Sequence, residues 1–394
     1  MANKEAIANI MSVSEYIRVV HDYTKNEQKI KKNYTYVFRG ECIDYKDTAC
    51  FPNIFRNSNI KNNKYFEKNL FDEMVSNKLT EGTTYLEMAV DAQHGGFQSR
   101  LLDVTYNCLV ALYFAVTPEP NKKIEKYDNE NGYVYIFSIN ELFCATGDNI
   151  IQAYENIIKR KVPWLNSKMI FQKNHKLIDH IKINKRIIAQ QGALIMFQGD
   201  DGTPLPDCSY IRICIDKKSK ISIREELETL FGLHTGTIYP ETKYLINEIT
   251  NKSSKINNME FNFKNEMNLV FINMQHEMNY YLTEIIKKEC SSVENETLLG
   301  NQERVEYVKL IEEKLYFYKL GFEEILNDKE LKSNSELQEK LNENELRNNF
   351  KSYQKEILNE YNNKVIAFIE KVNSLYTKYS INLSTNEFRI SEEV

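Results

Sequence analysis

In the last third of the chain, apolar positions recur at helical spacing over long stretches. Val308, Ile311, Leu315, Tyr318, Phe322 and Ile325 follow alternating three- and four-residue steps. Ile357, Tyr361, Val365, Phe368, Val372, Leu375 and Tyr379 do the same with one irregular step, and Met267, Val270, Met274, Met278, Tyr281 and Ile285 make a third stripe. Each is the one-sided pattern of a helix that buries a single face. Three of them predict an all-α helical bundle or a coiled-coil hairpin. The segment between Asn327 and Asn349 is so charged that it predicts a linker or a partly exposed helix.

Earlier in the chain the pattern is short and mixed. Ser12–Val20 reads as a helix capped by Ser12 or Ser14, and Tyr65–Lys78 as a helix burying Phe66, Leu70, Phe71 and Met74. Thr84–Ala92 continues as helix. Tyr34–Arg39 alternates as a strand does, with Arg39 at its end, and Phe51–Phe55 turns through Pro52. Leu109, Leu112, Tyr113 and Val116 form the stripe of a helix that Asp103 or Thr105 would cap. Gly132–Ile139 and Ser209–Asp216 read as strands, with Lys220–Ile223 a possible extension of the sheet. Leu177–Asn184 is ambiguous, and Arg186–Phe197 reads as a turn and then a strand. Arg224–Phe231 is a helix ended by Gly232. Strands and helices mixed without regular βαβ alternation predict an α+β domain with a mainly antiparallel sheet. All seven prolines and eleven of the thirteen glycines precede residue 241, which divides a turn-rich front from a helix-permissive rear. The expected domains are 1–250 and 251–394, with the boundary near Ile249–Lys255.

Charge sharpens that division. Residues 1–250 carry 32 Lys+Arg against 31 Asp+Glu, whereas residues 251–394 carry 19 against 25. The acidic surplus belongs to the tail, and no basic excess indicates nucleic acid as a partner. The seven cysteines form no CxxC pair and predict buried, reduced thiols, as in a cytoplasmic protein. The N-terminus has no apolar signal core and no run of 18 apolar residues occurs, so neither a membrane nor secretion is expected.

The candidate chemistry sits in Ala92–Val116, where Gln93, His94, Gly95, Gly96, Arg100, Asp103 and Thr105 run directly into an apolar helix. Polar groups held against a core either satisfy one another or await a ligand, because an unpaired buried one costs roughly 1–3 kcal/mol. Arg39, followed by Gly40, offers a planar fork suited to phosphate, carboxylate or pyrophosphate, or else pairs with Glu41 or Asp103. His94, beside two glycines, can carry a proton near neutral pH or simply pack. Arg100 and Asp103, three apart, could pair, and Asp103 could also cap the following helix. Gln190-Gln191-Gly192 presents either amides to a ligand or a solvated turn. His175 and His180 with Asp179 read as helix-surface residues; no metal site is expected. Nucleotide-loop, zincin and serine-hydrolase motifs are absent.

YVFRGE (36–41), FPNIFR (51–56), QHGGFQSRLLDVTYNCLVALYFA (93–115), RIIAQQGA (186–193) and TIYPE (237–241) together resemble the FRG domain, named for its Phe-Arg-Gly motif, over roughly residues 12–250. The chain departs from that pattern at Gly95, Gln98, Ser99 and Val104, where the family usually has an aromatic, Pro, Thr and Trp. The order of a Tyr/Phe-Arg-Gly strand, a Ser segment and a late Gln is also similar to mono-ADP-ribosyltransferases. That resemblance implies an NAD site in a bacterial effector or phage-defence protein. Arg39, Gly40, Ser99 and Arg100 would hold NAD, with His94, Asp103 and Gln191 as catalytic residues. The helical tail would make homo-oligomers or meet a protein target or trigger. Two other readings remain open: a non-catalytic module recognising a nucleotide or acidic peptide, and a nuclease or phosphoester hydrolase using His94 and Asp103.

Overall fold

The computed structural model describes residues 5–30, 33–56, 63–179, 185–200, 202–256, 263–294, 301–327 and 343–391. The chain divides into two compact units, Met1–Ile256 and Asn257–Val394.

The first unit is α+β. Its strands are β1 (Asn9–Ile10), β2 (Thr35–Glu41), β3 (Leu101–Thr105), β4 (Gly132–Ile139), β5 (Leu142–Phe143), β6 (Lys176–Asp179), β7 (Gly192–Met196) and β8 (Tyr210–Ile215). They form one mostly antiparallel sheet in the order β1-β8-β4-β2-β3-β7-β6-β5. The longer helices are α1 (Val13–Ile30), α2 (Phe66–Ser76), α3 (Tyr85–Gly95), α4 (Cys108–Val116), α5 (Asp148–Ile158), α6 (Lys220–Phe231) and α7 (Thr242–Ser253).

The sheet is nearly two sheets. β2 pairs with β4 over seven residues, from Thr35↔Ile139 to Glu41↔Tyr133, and β3 pairs with β7 over five. Between β2 and β3, among the described residues, the register is a single pair, Phe38↔Thr105. Beyond it the central strands part. On one face, α1, α4 and α6 cover the β2 half through Val134, Ile136, Ile211 and Ile213, and α2, α3 and α5 cover the β3 half through Leu101, Leu194 and Met196. The other face buries Val37, Leu102, Val104, Phe137 and Phe197 against Ile54, Phe55 and Leu205.

Glycine sets how closely α4 lies on β2. A Cβ on Gly40 would stand 1.8 Å from the Ala111 carbonyl oxygen, and one on Gly132 would stand 2.0 Å from that of Ala115. Only a residue without a side chain lets helix and strand backbones approach so closely.

Several local expectations need correction. Leu101–Thr105, read as a capping segment, is a central strand, and Asn107 caps α4 by accepting from the amides of Leu109 and Val110 at 2.9 and 3.4 Å. Lys220–Ile223 opens α6 instead of extending the sheet, and Lys185–Gln190 is a short helix before β7. The ambiguous Leu177 segment contains β6, and 180–184, with His180, lie outside the described residues. His175 is no helix-surface residue. It is largely buried, stacked on Phe197 at 4.2 Å, with Nε2 2.8 Å from the Thr203 carbonyl and Nδ1 accepting from the Gln198 amide.

The second unit is helical. α8 (Phe263–Glu294), α9 (Asn301–Asn327) and α10 (Glu343–Tyr376) share one core in which Met274, Ile285, Ile311, Leu315, Tyr361, Val365 and Val372 are buried. They form a bundle, and the final segment folds back on α10. There Asn362 donates to the Ile390 carbonyl and accepts from its amide, both at 3.0 Å. Of the charged stretch after Asn327, residues 328–342 lie outside the described residues.

No disulfide joins any of the cysteines among the described residues, and Cys42, Cys50 and Cys214 are buried. Among the described residues no helix is long and apolar enough to cross a membrane.

Candidate functional site

Where β2 and β3 part, a cavity of about 290 Å³ opens in the first unit, at the lower end of the size of small-molecule sites. Its wall includes Arg39, Glu41, Arg56, Asp103, Arg186 and Gln190, with the rings of Tyr45, Phe51, Phe114 and Tyr239.

Strand geometry decides which groups meet there. Side chains alternate along a strand, and paired residues share a face. Phe38, Gly40, Asp103 and Thr105 therefore point to the helical face, while Arg39, Glu41, Leu102 and Val104 point to the other. Arg39 nonetheless reaches the gap. Its NH1 donates to the Asp103 backbone carbonyl at 2.7 Å, a carbonyl that makes no ladder bond to β2. Its Nε donates to Glu41 Oε1 at 3.1 Å. Arg39 thus clasps the parted strands. Burial alone would lower its pKa, but Glu41 foremost, with Cys50 and Asp103, holds it above the ordinary value.

Glu41 is buried and collects donors on one oxygen. Oε1 accepts from Arg39, from Arg56 NH2 at 3.1 Å and from the Cys50 amide at 3.1 Å. Cys50 holds φ at 54°, which a residue with a side chain seldom adopts, and its N–H serves this carboxylate. Glu41 Oε2 is buried without a hydrogen bond among the described residues. Arg56 also donates Nε to the Phe51 carbonyl at 2.8 Å and lies over the Tyr45 ring.

Asp103 is the one exposed residue of β3, although β3 lies at the centre of the sheet. The parting of the strands explains this, since β2 and β3 pair only at Phe38↔Thr105 among the described residues. Its Oδ2 accepts from Gln93 Nε2 at 2.7 Å, and Gln93 Oε1 accepts from the fully buried Ser99 hydroxyl at 2.8 Å. The relay fixes the carboxylate from the end of α3. That end is set by a capping box between Thr84 and Glu87 at its start and by Gly96 at φ 82° after it.

The expected site residues are therefore divided. Arg39, Gly40 and Asp103 line the cavity, and Ser99 reaches it through Gln93. Arg100 does not belong to the wall. It is buried against Glu67, with Nε to Oε2 at 2.6 Å and its backbone amide to Oε1 at 2.9 Å, and its NH1 donates to the Gly199 carbonyl at 3.0 Å. Tyr154 supplies another donor to Glu67 at 2.8 Å. Residues 100 and 103, three apart on an extended chain, face opposite ways and do not pair. Gln191 is exposed, with φ at 46°, and its neighbour Gln190 lines the cavity instead. His94 belongs to α3, and its side chain lies outside what the structure describes.

Sequence reasoning named Gln190 with Gln191 but missed the parts played by Arg56, Gln93, Arg186 and Tyr239. FPNIFR contained Arg56 and TIYPE contained Tyr239, but no local pattern shows that either segment meets β2.

The FRG domain family model matches residues 34–124, which take in β2, β3 and α4 together with Arg39, Glu41, Arg56 and Asp103. The chain thus carries an FRG domain. Comparisons with curated proteins and with solved structures returned no match.

Proposed function

We propose that this FRG domain protein binds a nucleotide of the NAD class in the cleft between β2 and β3. The observation that carries this reading is Asp103, an acidic side chain exposed at the centre of a sheet and held in place by Gln93. Asp103 Oδ1 makes no hydrogen bond among the described residues, so it is free to accept one from a ribose hydroxyl. Guanidiniums in the same wall suit phosphate, and the four rings suit a base or a nicotinamide.

In the transferase version of this reading, Asp103 orients the ribose while the bond to nicotinamide breaks, and positioning supplies most of the rate. The recognition-module version has one observation in its favour. Arg39, the expected ligand-holding residue, already gives Nε to Glu41 and NH1 to the Asp103 carbonyl. Under either version the helical unit is the place to seek a partner or a second copy, with Tyr316, Phe317 and Leu320 exposed on α9.

Calorimetric titration with NAD and ADP-ribose, followed by product analysis over hours, tests the reading. Binding with release of nicotinamide makes the protein an NAD-consuming enzyme. Binding with NAD recovered intact makes it a recognition module. No heat with either compound, from folded protein, ends the nucleotide reading.

A further inference from the structure

Four cationic side chains line the cleft, and three of them already donate to protein groups. Arg39 spends Nε on Glu41 and NH1 on the Asp103 carbonyl. Arg56 spends Nε on the Phe51 carbonyl and NH2 on Glu41. Lys122 pairs with Glu119 at 3.1 Å. Arg186 differs from all three. Its nearest acid, Glu241, stands 3.8 Å from NH1, beyond hydrogen-bond length, and no hydrogen bond from its guanidinium is present among the described residues. Its guanidinium carbon lies 4.7 Å from the centroid of the Tyr239 ring, and 32% of the side chain is exposed.

An arginine stacked on an aromatic ring with its N–H edges open is a fork already held flat for a bidentate anion. The segment that carries it is anchored at its far end. Gln190 donates Nε2 to the Ile238 carbonyl at 3.2 Å, and its own carbonyl accepts from Thr105 Oγ1 at 2.6 Å. Those bonds tie the segment to the β3 wall on one side and to the Tyr239 segment on the other.

We infer that Arg186, and not Arg39, holds the phosphate of the ligand, with Tyr239 as its platform and Glu241 as the weak partner that the phosphate displaces. Arg39 is then the clasp of the parted sheet, and Asp103 takes the ribose. This assignment rests on the nucleotide reading above and adds which residue carries the anion.

The test uses the full chain, with ADP-ribose and inorganic pyrophosphate as probes, titrated by calorimetry beside thermal melts. Arg186→Gln should weaken ADP-ribose binding by about tenfold or more and flatten its salt dependence. The melting temperature should not change. Arg186→Lys, which keeps the charge without the planar fork, should recover part of the affinity. Arg39→Lys should instead lower the melting temperature. Wild-type affinity in Arg186→Gln would overturn the assignment and leave the nucleotide reading intact. Wild-type protein that binds neither probe would overturn both.

Discussion

Two arginine–glutamate clusters on either side of the sheet's parting behave differently in the fold. In the Arg100–Glu67 cluster both Glu67 oxygens accept bonds, from the Arg100 side chain and amide and from Tyr154, and little of either side chain reaches solvent. In the Arg39–Glu41 cluster all donors crowd onto one carboxylate oxygen, and Asp103 beside it keeps an oxygen free. The first is closed and holds the protein together. The second has hydrogen-bonding capacity left over next to a cavity, and spare capacity, more than charge or residue type, separates a binding site from a structural ion pair.

The contrast is sharpest where breaking it costs most. Glu67→Ala leaves the Arg100 guanidinium buried and unpaired and should lower stability by about 3–5 kcal/mol. Urea unfolding would show it, and a loss below about 1 kcal/mol would mean that the cluster is not closed. His175 tests the same closed half through pH. Burial holds its pKa down at about 4. The unfolded state, titrating near 6.5, therefore binds more protons between the two values. Stability should be full above about pH 6.5 and fall by roughly 2–3 kcal/mol as pH drops to about 4. His175→Gln should flatten that slope, and an unchanged slope would assign it to other groups.

Gly40→Ala acts at the parting itself. It forces α4 off β2 and should cost about 1–3 kcal/mol, read as a lower midpoint in urea. A neutral result would show that the helix can shift freely. Asn107→Ala removes a cap whose side chain is not part of the cavity wall and should cost about 1 kcal/mol with ligand affinity unchanged. Altered affinity would couple α4 to the site.

The sequence revealed the parts of this site better than their arrangement. Helical stripes in the rear unit and the runs at 132–139 and 209–216 declare themselves because burial on one face or two leaves a periodic trace. Asp103 is legible in sequence as a polar residue against apolar neighbours, suited to a cap or to catalysis, but its place in a central strand is not. Its exposure comes from a parting between strands, which has no signature in either strand. Arg100 misled for a related reason: its partner Glu67 lies 33 residues upstream and only tertiary packing brings it there. Gln190 and Gln191 are equivalent in sequence, because the left-handed turn that leaves Gln190 at the cavity falls on Gln191 and not on a glycine. Arg186 and Tyr239 lie in the RIIAQQGA and TIYPE segments, but neither segment shows in sequence that the two side chains meet.

The most direct measurement is ADP-ribose binding by wild type and by Asp103→Asn, with melting temperatures taken on the same samples. The substitution changes an exposed side chain and should leave stability within about 0.5 kcal/mol. The account predicts that wild type binds and that Asp103→Asn loses about tenfold or more in affinity without a change in melting. Equal affinity in the two proteins would contradict the claim that the spare acceptor in the parted sheet is the ligand's anchor.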